Sequence, residues 1–520
     1  MKIKNLIKVL FTVIVTISIT SCDITNYDED VIQELSVSRE FAPIELTARV
    51  RNQTTVELNW IPREEINTYA VEFSADDPNF TTIFKSVEVS VEELPVQIKL
   101  EGLTEYSIRV KAISANGLED SKWALATVTT LSEQLMLPSV NGDVAYNDAL
   151  FRWEAGINVT KLVLQPGDIT HTISEAEKSV GIATVTGLNS LTDYEVTLFN
   201  NDKPRGFSSI KTEVDPATGT VVKTSDDLLT MILNASFGET LILEPGDYTT
   251  QIGTANLDKS IIVRGLLSYD KPKININFQI NNGATDVSFM NIEFDGKATV
   301  QDVVRYTGAG NYNSLLVSDC IVHDYDRSFI AGNTTDAIIQ NVTVEKSIVT
   351  DVVTNGGDFI DFRNSDVLNL NVNTSTFNNC APARDFIRMD DAGTLASQDP
   401  ANISNVIIES CTLYACSNKN SKRLLYVRFE DNEIEVHNTL ITDTEVEGYS
   451  DQSRTDEDII FSNNNYFNAP TLIDDTVARY DASGTHTELD PGFVNPLIGD
   501  FTVTNQTLKD NLVGDPRWLK

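Results

Sequence analysis

The chain has 520 residues, of which 76 are Asp or Glu and 39 are Lys or Arg, for a formal net charge of −37. So negative a surface repels nucleic acid and anionic lipid, which excludes both as partners of its overall field. It also repels an acidic polymer unless basic groups or bound cations gather locally. Five cysteines and four histidines, at scattered positions, show no metal-ligand spacing, so no zinc site is expected.

The first elements are targeting signals. Lys2, Lys4 and Lys8 flank the start of an apolar run over 9–19 that is short for a membrane span. The run ends in ITSC, small residues leading into Cys22. This resembles the lipobox of bacterial lipoproteins, which implies a signal peptide over 1–22, a lipid on Cys22 and attachment to a membrane through it. The polar, acidic stretch 23–38 suits a tether. Its acidity directly after the cysteine resembles the export signal of Bacteroidetes-type lipoproteins, which implies an outer-membrane location facing outward.

Residues 39–132 then alternate apolar and polar in short runs between turn signals, the pattern of an all-β sandwich. TTVELNWIP places Trp60 late on one strand, and LEGLTEYSIRVKAISANG sets Leu103 and Tyr106 ahead of alternating Ile108, Val110 and Ala112. The pair resembles a fibronectin type III module, with a buried Trp and a Tyr whose hydroxyl bonds back to backbone at a strand corner. A weaker copy follows over 134–213, with Trp153 in ALFRWEA and Tyr194 in LNSLTDYEVTLFN. These aromatics are expected in cores, and the modules are expected to act as spacers.

At 224–249, TSDDLLTMILNASFGETLILEPGDYT predicts a short helix capped by Ser225 or Asp226, with Leu228, Leu229, Ile232 and Leu233 on its apolar face. A strand ended by a Pro-Gly turn follows. This entry resembles the start of a right-handed parallel β-helix of the pectate-lyase superfamily, expected over 215–470.

A repeat supports the solenoid independently. FMNIEF (289–294), VSDCIV (317–322), VEKSIV (344–349), VNTSTF (372–377), IESCTL (408–413), VHNTLI (436–441) and FSNNNY (461–466) each begin and end with a large apolar or aromatic residue. In all but the first a small or polar residue holds the fourth place, as Cys320, Ser347, Ser375, Cys411, Thr439 and Asn464 do. A coil cannot bury its own apolar face, so coils must stack and bring like residues into columns. Cys380 and Cys416 share one column, as buried thiols or as a disulfide. The segment ELDPGFVNPLIGDFTVTNQTLKDNLVGDPRWLK resembles the closing element of β-helix lipoproteins from polysaccharide-utilisation systems. It assigns 471–520 to closing the last coil and implies neighbouring glycan-import proteins as partners.

A second phrase recurs once per coil: RSFIAG (327–332), GDFIDFR (357–363), RDFIRMD (384–390) and RLLYVRF (423–429). A period of two sends Ile360 and Phe362 one way and Asp361 and Arg363 the other. Stacking then predicts columns of Asp361, Arg388 and Tyr426, and of Arg363, Asp390 and Arg428. Two readings stand. The checkerboard is a ladder of surface ion pairs, or the face binds an acidic polysaccharide, pectate-like by the resemblance. In the second, Arg363, Arg384, Arg388, Arg423 and Arg428 match uronate carboxylates. Tyr426, with Tyr325 or Tyr414 if exposed, offers ring platforms. Asp358, Asp361, Asp390 and Asp391 offer hard oxygen ligands for Ca²⁺. If the chain is a lyase, β-elimination needs a base and a carboxylate clamp, for which the resemblance points to Arg388 or Lys422 with Arg384. A non-catalytic binder needs neither, and a β-helix used only for protein contacts needs no glycan face.

Overall fold

The computed structural model describes residues 38–520 apart from 64, 354, 391–401 and 430. The signal, Cys22 and the tether up to residue 37 lie outside the described residues, as does Asp391. Among the described residues no helix is long and apolar enough to cross a membrane.

The chain is all-β and begins with fibronectin III-like sandwiches. In the first, a three-stranded sheet (Ile44–Arg51, Thr55–Ile61, Val96–Lys99) and a four-stranded sheet (Lys85–Ser90, Thr68–Ala75, Glu105–Ala112, Ala124–Thr129) share one core. Trp60 packs edge-on against Tyr69 at 5.1 Å, and both are buried as expected. Tyr106 Oη accepts a hydrogen bond from the Glu101 amide (3.0 Å), closing the strand corner. Leu103, ahead of the strand, is exposed in a left-handed turn (φ 48°). In the second sandwich Tyr194 repeats the corner, its hydroxyl accepting from Asn189 N at 2.9 Å, and Trp153 is buried.

Residues 220–467 wind as a parallel solenoid with three sheets, of ten, eight and seven strands. One coil contributes in turn Ala337–Glu345, Ile348–Val352 and Ile360–Phe362, one strand to each sheet. The columns expected from the repeat form residue by residue. Val317 pairs with Val344, Val344 with Val372, Val372 with Ile408, Ile408 with Val436 and Val436 with Phe461. Val322, Val349, Phe377, Leu413, Ile441 and Tyr466 form the matching column on the next sheet. Each such side chain, removed from water, contributes roughly 1.5–3 kcal/mol.

The six-residue phrase is a corner, not a strand. Its third residue sits at positive φ in all seven copies: Asn291, Asp319, Lys346, Thr374, Ser410, Asn438 and Asn463, between 45° and 55°. That bend turns the chain from the ten-stranded to the eight-stranded sheet. It costs little for Asn or Asp but is unfavourable for Lys346 and Thr374, so coil stacking imposes it. The buried fourth residue satisfies the corner. Ser347 Oγ accepts from Cys320 N (3.1 Å), Ser375 Oγ from Ser347 N (3.1 Å) and Asn464 Oδ1 from Thr439 N (2.9 Å). All four described cysteines are buried free thiols, so Cys380 and Cys416 stack without a disulfide.

The entry helix, Leu228–Asn234, is capped by Asp227, which accepts from Thr230 N at 3.0 Å. Asp226, one of the expected caps, accepts from Lys223 N instead. Leu228 and Ile232 enter the core and Leu229 rests against it. Leu233 is exposed, because so short a helix presents only one i, i+4 pair squarely to the coil below.

Residues 471–520 do more than close the last coil. Thr487 bridges to Asn465 there, after which the chain runs back over the outer face of the eight-stranded sheet. Gly514 N donates to Asn438 O, and Asp515 N to Thr412 Oγ1. Trp518 Nε1 donates to Thr376 Oγ1, and Arg517 to Lys346 O. Val503, Leu508 and Val513 form a small core with Leu440 under this return segment.

Candidate functional site

The phrase that recurs over 327–429 lies on the seven-stranded sheet, in the predicted register. Asp361 pairs with Arg388 and Arg388 with Tyr426, while Arg428 reaches Asp390. Ile360, Phe362, Ile387, Met389, Leu425 and Val427 face the core, which leaves the charged set on the other side. The Phe of Ser-Phe-Ile (328–330) and of both Asp-Phe-Ile segments (358–360 and 385–387) is buried as well. Phe329, Phe359 and Phe386 stack ring on ring, with centroids 5.5 and 4.8 Å apart.

The Asp of the phrase ties coil to coil. Asp358 Oδ1 accepts from Asp385 N (3.1 Å), and Asp385 Oδ1 accepts from Arg423 N (2.9 Å). Both carboxylates are buried, so each must meet a cation on its remaining oxygen. Arg363 serves Asp358 (3.0 Å) and Asp361 (2.8 Å). Arg388 serves Asp390 (2.7 Å) and Asp358 (3.4 Å). Arg423 serves Asp385 (3.0 Å) and the more exposed Asp451 (3.5 Å), and Arg428 serves Asp390 (3.0 Å).

The outward column is therefore covered by its own partners, and Asp361 is only 2% exposed where an open carboxylate was expected. Burial lifts the Asp361 carboxyl above its usual range against the opposing pull of Arg363. Asp385 is raised in the same way, against Arg423. Burial opposes the charge of Arg388, but its bond to Asp390 outweighs that and holds the guanidinium above the usual arginine range.

Tyr426 sits among three guanidinium groups, with the carbons of Arg423, Arg388 and Arg428 at 4.4, 4.8 and 5.1 Å from its ring centre. Its faces are thus occupied by cations rather than open to a sugar ring. Tyr325 is buried in the core, and Tyr414 packs against Phe493 and Phe501 beneath the return segment, so neither is a platform. Arg384 and Lys422 border the lattice half-buried, and neither has an ion pair among the described residues. A cavity of about 200 Å³ beside Arg423 is lined by Glu447 and Asp451, acids rather than bases.

For calcium, Asp358, Asp361 and Asp390 are already engaged by guanidinium groups, and a cation would have to displace them. Among the described residues the one group close enough to share an ion is Asp295, His323 and Asp324, on the eight-stranded sheet. Coil register brings Asp295 opposite His323. His323 Nδ1 lies 2.8 Å from Asp324 and Nε2 3.1 Å from Glu293. Burial works against its charge, but these carboxylates hold the imidazole above its usual range. Spacing along the chain conceals this group, which becomes visible only when coils are aligned.

Two family models match the chain, both described as domains of unknown function: DUF4957 over residues 246–380 and DUF5123 over 406–518. No curated protein sequence matches. Among solved structures, a two-domain fibronectin type III segment of chicken tenascin is 17% identical, covering 33% of this chain and 99% of that one (TM-score 0.24). The fibronectin domain of human contactin 1 is 21% identical, covering 19% and 84% (TM-score 0.16).

Proposed function

We propose that the protein is a lipid-anchored outer-surface component of a glycan-utilisation system that binds an acidic polysaccharide, pectate-like in its uronate content, without cleaving it. The observation that carries this reading is the fixed lattice of Arg363, Arg388, Arg423 and Arg428 on consecutive coils. Buried carboxylates orient each fork in advance, so little side-chain entropy is lost when a free N–H edge meets a ligand carboxylate. Arg384 and Lys422, without an ion pair among the described residues, add positive charge at the border. Elimination is less well served, since Arg388 holds its proton more firmly than a free arginine does, which is the reverse of what a base needs. Ca²⁺ is not required by this mode of binding.

Affinity electrophoresis in pectate, alginate and a glycosaminoglycan tests the reading, run beside an ultraviolet assay for unsaturated product. Retarded migration, reduced by Arg384→Ala and Lys422→Ala, with no product, is the expected result. Product formation would make the protein a lyase. Unretarded migration in every polymer would leave the lattice a structural feature of a protein-contact solenoid. Labelling with a radioactive fatty acid, lost on Cys22→Ala, tests the anchor.

A further inference from the structure

A second basic feature lies far along the solenoid from the arginine lattice. Arg264 stands on Ile261–Gly265 of the ten-stranded sheet, beside Ile242 on one strand and Met290 on the next. It is only 6% exposed, and its Nε is buried without a hydrogen-bond partner. Among the described residues its guanidinium makes no ion pair or hydrogen bond at all. A buried, unsatisfied arginine is costly, since burial disfavours the charge and no acceptor repays it. Burial indeed draws Arg264 below the usual arginine range, against the pull of Glu213.

Arg264 lines a cavity of about 270 Å³ together with Lys211, Glu213, Asp319, Glu345 and Lys346. Formal charges in that lining balance, but the partners do not. Glu213 accepts from Ser268 N (3.0 Å) and Oγ (2.6 Å). Asp319 lies 3.4 Å from Lys271, and Glu345 accepts from Ser318 Oγ at 2.7 Å. Every acid thus has a partner that is not Arg264. Lys346 has no ion pair among the described residues, and Lys211 is 3.9 Å from Asp193 with more than half its side chain exposed. None of these acids bonds to the buried guanidinium, which leaves it without an anionic acceptor among the described residues.

We propose that this cavity is a binding site for a small oxyanion, a carboxylate or a phosphate, seated on Arg264 with Lys211 and Lys346 at the mouth. Leu191 and Met290 also line the space, giving the uncharged part of a sugar acid an apolar wall. The site is independent of the polymer-binding face and stands whether or not that face binds glycan.

Isothermal titration calorimetry of the full chain at low salt tests it, with sodium glucuronate, inorganic phosphate and, as a neutral control, glucose. Saturable binding of at least one anion and none of glucose is expected. Tighter glucuronate binding would identify a carboxylate site, and tighter phosphate binding a phosphate site. Arg264→Gln should weaken the anion at least tenfold and Lys346→Glu severalfold. If Arg264→Gln does not fold, Lys346→Glu on its exposed residue carries the test. Absence of saturable anion binding by the folded wild type would overturn the proposal, as would binding indifferent to Lys346→Glu.

Discussion

Replacing Asp358 tests whether the ionic lattice stabilises the solenoid or merely decorates it. Asp358 is 1% exposed and holds the Asp385 amide together with Arg363 and Arg388. Asp358→Ala leaves that amide without an acceptor, at a cost of roughly 1–3 kcal/mol. The guanidinium groups are not abandoned, because Arg363 keeps Asp361 and Arg388 keeps Asp390. The total should therefore be about 3 kcal/mol, the lower edge for breaking a buried pair. Asp358→Asn retains an oxygen for the amide and loses only charge, so it should cost about 1 kcal/mol. A chain combining sandwiches and solenoid does not unfold in one step, so a global probe would blur the difference. Hydrogen exchange along a urea series, read on peptides spanning 357–363 and 384–390, isolates it. The three proteins should open in the order Ala, Asn, wild type. Identical protection in all three would refute the argument and mark the pairs as screened surface contacts.

The other predictions concern neighbouring features. Ser375→Ala removes the acceptor of the buried Ser347 amide and should cost about 1–3 kcal/mol, whereas Ser375→Thr restores it; exchange at Ser347 distinguishes them. Asp361 and Asp385 have carboxyls raised on folding, so their contribution is fully present below the ordinary carboxylate range and is lost as pH rises through the raised values. Asp361→Asn should flatten that decline in the hydrogen-exchange protection factors of peptides spanning 357–363, followed along urea series from pH 4 upward, and an unchanged slope would refute it. Trp518→Ala breaks the bond to Thr376 and its edge contact with Phe501, and should cost about 2 kcal/mol, visible as faster proteolysis of the return segment.

Coil register was legible in the sequence because burial acts on columns. Val344 and Val372 must match if they are to share one interior, and that constraint writes a period. The corners were not legible, since Lys346, Thr374 and Ser410 carry no signature of positive φ; the stack forces it on them. The lattice was half legible. Register correctly set Asp361 beside Arg388, but a charged residue reads as exposed, and nothing local tells that Asp358 and Asp385 sink inward to hold the amides of adjoining coils. Asp295 and His323 stayed hidden for a related reason, being 28 residues apart yet opposite one another. Arg264 escaped notice because a lone arginine in a strand carries no sign of its missing partner.

The run of chain from Gly514 to Trp518 also changes how the stack can come apart. Its bonds link residues 171, 142 and 103 positions apart, in a solenoid whose ladder bonds join neighbours one winding away. A plain array of repeats frays one unit at a time from its end. Here windings from Lys346 to Asn438 are stitched crosswise, so none of them can loosen alone. They should melt together as one block, and that block can be completed only after the last of its windings has formed.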